Sequence, residues 1–588
     1  MADYTLQLQA DNIPNELIEQ LLVVGPWKPI LSRMYTGENL LIEGCRGAGK
    51  TMLMRSASLY LRNAYSQGGK VLGVHTTFKR YLATLPPPNL QDGNNYELSY
   101  FRAWINARIL SAVKDTVSSI SSDSIKKIPE LDNINWSVIV SALETTYRGD
   151  VDVNSILIKE NIPSQTLYLL QGYTYTSEIL KSVVDKLNLD LLILFLDDAA
   201  HALDTRAQGA FFTAIKSLYD PKLAFKISVY PAVTRYGLDF AYGHDAVVIP
   251  IGDTPKTETI DVFIELLEKR SEVADSDESR GIFHQLLSNN EWIKLLAYCA
   301  NGNPRGLLRL VAQIQTTLGS KQPEEMRFED VRIAITTVID KHLDNMVPGV
   351  IKDLDPRLLK AAEYLLHEFR QKISDKPGPY ESGKPRGYLA VTNSMQVPYL
   401  CQAALKLLVA ANVLIPEGPA RLSKRETGTL FLLHPGFMFR DNVIGVNFRG
   451  TLKASDWLSF FSGLSSRIHA EVTKSAELWQ EIVGDISSEP LFECFNGHPI
   501  NIPSEKCSVC GEKGVERSPV QVLLDKDISV LDLSDAIKER LYKNGFTTVR
   551  MLFECTNEEL DRVEYIGEKR VSQIKSAVSL AVDEFVAG

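Results

Sequence analysis

Gly44-Cys45-Arg46-Gly47-Ala48-Gly49-Lys50-Thr51 fits the pattern G-x-x-x-x-G-K-[ST] at every fixed position. The apolar run Asn39–Ile42 leads into it and a helical stretch from Thr51 to about Ala64 leads out, so the octet joins a strand to a helix. Glycines in such a turn let successive N–H groups point inward at phosphate oxygens, and the helix N-terminus adds the positive end of its dipole. The spacing predicts a nucleotide site in which Gly44, Gly47, Ala48 and Gly49 cradle phosphates. Lys50 is expected to reach the β- and γ-phosphates of ATP, and the Thr51 hydroxyl to ligate Mg²⁺.

The stretch Leu192-Ile193-Leu194-Phe195-Leu196-Asp197-Asp198 supplies the second part. An apolar strand ending in paired acids delivers carboxylates to the metal: Asp197 is expected to hold Mg²⁺ through water, and Asp198 to orient or deprotonate the attacking water. Further apolar runs at Val71–Val74, Phe225–Val229 and Ala246–Ile249 alternate with amphipathic helices. Runs buried on both faces and separated by helices predict an α/β fold with a parallel sheet.

Six segments follow from the patterning. Residues 1–254 form the ATPase core and 255–347 an all-helical lid. Residues 348–450 form a helical unit closed by a two-stranded ribbon, and 451–488 a helical connector. Residues 489–513 hold a metal-ligand cluster, and 521–588 a compact helical tail.

The paired motifs, the strand order and the helical region that follows resemble the AAA+ ATPases of the origin-recognition and initiator type, and the related signal-transducing NTPases. Gly302-Asn303-Pro304-Arg305, near the start of a lid helix, makes the resemblance more specific. It implies that Arg305 meets the γ-phosphate as a second sensor, where a guanidinium stabilises spreading charge. The chain departs from the family at Lys226-Ile227-Ser228-Val229-Tyr230-Pro231, which lacks the asparagine or threonine of a first sensor. Thr234 and Arg235 just beyond are both open candidates for phosphate or neighbour contacts. Without an evident first sensor, slow hydrolysis is expected. Trp27 lies where the family forms part of its adenine pocket, and reads as a core residue before a base-stacking one.

Pro356–Arg370 and Val397–Ala411 read as helices, with Leu400, Ala404, Leu407, Leu408 and Ala411 in one buried stripe. A ribbon of Val413–Ile415 and Thr429–Leu433 follows, with Arg421, Lys424 and Arg425 in its turn. This resembles the winged-helix domain behind the ATPase in initiator-type proteins, and implies duplex DNA as a partner. Residues 348–450 carry 14 Lys+Arg against 9 Asp+Glu in a chain of net charge −10, so the positive surface is local. Lys406 on the outward face of the later helix joins Arg421, Lys424 and Arg425 as candidate DNA contacts.

Cys494-x3-His498-x8-Cys507-x2-Cys510 offers three thiolates and an imidazole, the donor set of a closed, structural Zn²⁺ site like that of a zinc ribbon. The tail resembles the C-terminal domain of the RNA polymerase alpha subunit and other helix-hairpin-helix units. The matching residues are Leu531-Asp532-Leu533-Ser534, Gly545-Phe546-Thr547-Thr548-Val549 and Ile566-Gly567-Glu568-Lys569-Arg570. The resemblance implies bends at Gly545 and Gly567, with Lys569, Arg570 and Lys575 near a phosphate. Tyr565 stands where the usual hairpin has glycine. The tail carries 9 Lys+Arg against 13 Asp+Glu, so protein docking weighs equally with DNA.

The 45% apolar and 23% charged composition excludes wholesale disorder. No apolar run spans a bilayer and the N-terminus lacks a secretory pattern, so a cytoplasmic protein without membrane contact is expected. Seven cysteines, three of them clustered, fit a reducing compartment and a metal site. The residues support an ATP-driven switch on DNA, working as a homo-oligomer or in a hetero-complex. They also support a signal-transducing regulator that controls a partner effector, as in bacterial antiviral defence. A loader for a helicase or transposase is the third reading.

Overall fold

Five apolar runs lie side by side in one parallel sheet: β1 (Leu40–Glu43), β2 (Val71–Thr77), β3 (Leu191–Asp197), β4 (Leu223–Val229) and β5 (Val247–Pro250), in the order β2-β3-β4-β1-β5. The computed structural model describes most of residues 6–578; the larger segments outside the description are 79–94, 147–152, 343–355, 375–385, 393–398, 445–451 and 472–491, and only scattered pieces between 492 and 534 are included. Successive side chains of a strand face opposite sides, and the sheet has a buried layer on each. Leu40, Ile42, Ile193 and Phe195 pack with Leu53, Met54 and Leu61 of helix α1 (Lys50–Ser66). Leu41, Leu192, Leu194 and Leu196 pack on the other side with Trp104 and Leu110 of α2 (Asn95–Ile120). The expected α/β sheet is present, and its order sets β4 between the strands that carry the two motifs.

The connection from β2 to β3 is far larger than one crossover helix. Seven helices lie along it among the described residues, from α2 to Thr174–Lys186. Asn106 of α2 is fully buried and its Nδ2 donates to Leu170 O at 2.8 Å and Gly172 O at 3.0 Å, which fastens α2 to Ser164–Gln171. The two bonds satisfy the buried NH₂ group, which orphaned would cost roughly 1–3 kcal/mol.

The lid comprises α3 (Thr257–Glu272), α4 (Asp277–Ser288), α5 (Asn290–Cys299), α6 (Pro304–Leu318) and α7 (Phe328–Asp340). Beyond it come α8 (Pro356–Ser374), β6 (Tyr388–Thr392), α9 (Tyr399–Ala410), β7 (Leu414–Arg421) and β8 (Thr427–Leu433). Leu400, Ala404, Leu407, Leu408 and Ala411 are all buried, and Gln402 is exposed. The ribbon β7–β8 is longer than its apolar pattern suggests, because Glu417, Arg421 and Thr427 extend it outward as polar positions. Strand β6, which the sequence reading missed, pairs antiparallel with β8.

Residues 451–488 are not wholly helical. After α10 (Ala454–Ser462), β9 (His469–Glu471) joins the same sheet parallel to β6. Trp457, Phe460 and Phe461 of α10 share one continuous buried cluster with the lid and with α8, α9, β6 and β8. At the centre of this joint, Asn301 Nδ2 donates to Asn412 O at 3.3 Å and Oδ1 at 3.2 Å. Both asparagines are buried and left-handed, at φ 53° and 58°. Asparagine tolerates that conformation better than most residues.

Three short strands follow: β10 (Phe492–Cys494), β11 (Pro499–Ile500) and β12 (Gly514–Glu516), antiparallel in the order β11-β10-β12. In the tail, Asp535–Lys543 and Val549–Glu554 are helices, and Leu541, Leu552 and Ile574 belong to the cluster that covers the α2 side of the main sheet. Among the described residues no helix is long and apolar enough to cross a membrane.

Candidate nucleotide site

The phosphate loop is shaped by two left-handed glycines, Gly47 at φ 89° and Gly49 at φ 97°, the latter capping α1. Gly47 is also fixed by a close approach. A Cβ there would stand 2.5 Å from Asn303 Oδ1 and 2.8 Å from Arg305 Cβ. The turn Gly302-Asn303-Pro304-Arg305 thus sits directly on the loop. Asn303 Nδ2 donates to Arg46 O at 2.7 Å, its Oδ1 caps α6 by accepting from Gly306 N at 3.0 Å, and Arg305 N donates to Gly47 O at 3.4 Å. Trp27 lies on the other flank, half-buried, its ring 3.5 Å from where a Gly49 Cβ would stand.

Lys50 is buried, and its Nζ turns back on the loop, donating to Gly44 O at 2.5 Å and Cys45 O at 3.1 Å. Burial lowers its pKa to about 8, against the pull of Cys45, Asp198 and Asp197. A buried ammonium whose hydrogen bonds go to neutral carbonyls gains from direct contact with an anion, which phosphate oxygens would supply.

Asp197 ends β3 fully buried. Its Oδ1 accepts from Ser228 Oγ at 2.6 Å and from Asp198 N at 2.9 Å. Its Oδ2 is buried without a hydrogen bond among the described residues, and His75 Nε2 stands 3.6 Å away. Burial alone would raise this carboxyl; interactions with His75, Ser228 and Thr51 hold it well below the usual range instead. Thr51 and Asp197 are therefore together, as the two motifs require. An ionised carboxylate with one unpartnered buried oxygen beside a threonine hydroxyl fits a hard divalent cation such as Mg²⁺.

Asp198 has φ 53°, a left-handed conformation costing a non-glycine residue roughly 1–2 kcal/mol. Its backbone N–H is held by Ser228 Oγ at 2.7 Å, and its Oδ1 accepts from Tyr230 OH at 3.0 Å. The Tyr230 ring faces Lys50, with Nζ 4.0 Å from its centroid. Burial, then the neighbouring Asp198, raise the Tyr230 phenol well above its ordinary pKa, so it stays a hydrogen-bond donor. Sequence reasoning missed Ser228, Tyr230 and His75, because their role depends on β4 lying beside β3. Thr234 is taken up in the turn: its Oγ1 donates to Tyr230 O at 2.8 Å and accepts from Tyr230 N at 3.0 Å. Arg235 N donates to Gln208 Oε1 at 2.6 Å.

Arg305 reaches the same cluster. Burial and then Arg46 lower its pKa, while Tyr230 and Asp198 favour its charge. Its Nε donates to Leu8 O at 3.1 Å, so the segment before the core caps part of this guanidinium.

The other candidates are dispersed. Lys406 is half-buried on α9, and Arg421 is exposed at the end of β7; Lys424 and Arg425 lie outside the described residues. Cys494 ends β10, whereas His498, Cys507 and Cys510 lie outside them, and no group of three metal-binding side chains occurs among those described. In the tail, Gly545 has the expected left-handed bend at φ 85°, but the second bend falls on Tyr565 at φ 65° and not on Gly567. Arg570 donates to Tyr565 O, and Lys569 lies outside the described residues. Lys575 is buried and caps the helix Val549–Glu554 through Leu552 O at 3.0 Å and Cys555 O at 2.6 Å, so it is unavailable to a phosphate.

Residues 8–290, just under half of the chain, match the family model described as ORC-CDC6-like. No curated protein matches the chain. Among solved structures, the chain is similar to the Aeropyrum pernix Orc1 protein in complex with DNA, at 13% identity over 76% of this chain and 96% of that one, with a TM-score of 0.31.

Proposed function

We propose, taking the ORC-CDC6-like match of residues 8–290 as the premise, that this chain is an ATP-binding, slowly hydrolysing AAA+ switch that contacts duplex DNA. The observation that carries the reading is the cluster of buried Lys50, Asp197 and Asp198 with half-buried Thr51 at the mouth of a glycine-shaped loop. Backbone N–H groups of residues 44–49 and the α1 N-terminus would bind the phosphates, and Lys50 would swing from the loop carbonyls onto them. Thr51 and Asp197 would hold Mg²⁺, which neutralises charge on the phosphates. Asp198 would orient the attacking water, and Arg305 would answer charge developing on the γ-phosphoryl group. Lys50 bound to its own loop and Arg305 Nε bound to Leu8 O both have to be released first, which favours slow turnover. Titration with a fluorescent ATP analogue, followed by a turnover assay, tests this reading; absence of any nucleotide affinity ends it.

DNA contact belongs to the basic unit of residues 348–450, in which a helix, a strand, a helix and an antiparallel ribbon follow one another in the manner of a winged helix. Reversing charge at Lys424 and Arg425 together is expected to weaken duplex binding about tenfold near 0.1 M salt. It should also reduce the slope of log K against log[salt] by roughly 2. An unchanged slope would remove the ribbon turn from the interface.

For Zn²⁺, the short sheet supports the sequence reading. Cys494 ends β10 opposite Gly514, the first residue of β12, and the β10–β11 connection leaves from that same end. The other three donors lie within 16 residues after Cys494 in the sequence. Metal analysis of the purified protein should give one zinc per chain, and a Cys507→Ser, Cys510→Ser variant should lose it; a zinc-free protein would leave this segment without its ion.

The signal-transducing reading draws on the tail, whose net charge is negative and whose Lys575 is turned inward. A partner protein bound at high salt, with no duplex affinity at low salt, would favour that reading.

A further inference from the structure

Strand β4 ends with no asparagine or threonine toward the phosphate loop, yet the place is not empty. Tyr230 fills it. The residue is fastened at its own backbone by the Thr234 hydroxyl on both N–H and C=O. Its phenol therefore projects from a fixed base. The hydroxyl donates to Asp198 Oδ1 at 3.0 Å, and the ring face lies 4.0 Å from the Lys50 ammonium. One side chain thus touches the acid that ends the second motif and the cation that ends the first.

Asp198 needs such a partner. Its left-handed backbone is held by hydrogen bonds to Asp197 and Ser228, but those bonds fix only its N–H. The Tyr230 hydroxyl is a donor to the carboxylate itself, and a general base works only when aimed within hydrogen-bond reach of its water. We propose that Tyr230 is a positioning residue for hydrolysis, its hydroxyl aiming the Asp198 carboxylate where the strand end carries no asparagine or threonine. This assignment rests on the nucleotide reading given above.

Tyr230→Phe keeps the ring against Lys50 and the packing, and removes the hydroxyl alone. The variant is expected to bind a fluorescent ATP analogue within about twofold of the parent, because uniform binding is untouched, while kcat falls about tenfold. The loss should vanish in the Asp198→Asn background, where no carboxylate is left to aim, so that the double variant turns over as Asp198→Asn does in single-turnover assays. Parental turnover by Tyr230→Phe overturns the assignment, and so does a tenfold loss that persists beside Asp198→Asn. So does a fall in nucleotide affinity that accounts for the whole effect, since that would mark a structural role. A parent protein that binds nucleotide but never hydrolyses it also overturns the assignment, leaving binding intact. A parent protein without nucleotide affinity overturns the reading beneath it, and this assignment with it.

Discussion

Lys50→Ala is expected to abolish measurable ATP binding, with affinity reduced by at least about 100-fold, or roughly 2.7 kcal/mol. The ammonium is buried, donates to two loop carbonyls and lies over an aromatic face, and among the described residues no carboxylate hydrogen-bonds it directly. Charge-assisted hydrogen bonds to phosphate oxygens are among the stronger polar contacts, at about 1.5–3 kcal/mol each. Alanine also leaves Gly44 O and Cys45 O without their donor, which destabilises the loop that has to cradle the phosphates. Isothermal titration with a non-hydrolysable ATP analogue checks the outcome. Unchanged affinity would mean that the triphosphate sits elsewhere.

Asp198→Asn separates chemistry from binding. Asparagine is nearly isosteric and tolerates left-handed backbone better than most residues, so the turn at φ 53° should survive. Its side-chain oxygen can still accept the Tyr230 hydroxyl. Only the basic oxygen is lost. Nucleotide affinity is expected to stay within about threefold, while kcat drops by about 100-fold, the lower end of what a placed general base contributes. Phosphate release under saturating ATP measures it. Equal turnover would show that a different group orients the water.

What the sequence revealed was local in the chain. The octet 44–51 and the run 192–198 each carry their meaning in adjacent residues, so strand, loop, lysine and acids were all readable before any contact was known. The buried stripe on α9 followed from helical spacing in the same way. What escaped was set by pairing between distant segments. Ser228 matters because β4 lies against β3, an adjacency that periodicity does not encode. Tyr230 reads as an ordinary strand-end aromatic until Asp198 and Lys50 are seen beside it. Beyond the long α2, most helices of the insertion between β2 and β3 lacked a strong signal because they are short, and several are capped by loop geometry without a side-chain bond. Lys575 was misjudged for a different reason. A lysine count cannot tell an ammonium facing solvent from one spent on the carbonyls of a helix end.

The continuous apolar interior from the lid to α10 limits how this molecule can bend. Interiors at close-packed density do not shear gradually. With Asn303 resting on Arg46, and Asn301 in the same turn riveted to Asn412, a tilt at the loop cannot be absorbed before it arrives at the end of α9. The unit from the lid through α10 would therefore act as a lever whose short arm is a single turn of chain, and small adjustments around a phosphate would emerge at the far ribbon as displacements of a much larger sweep.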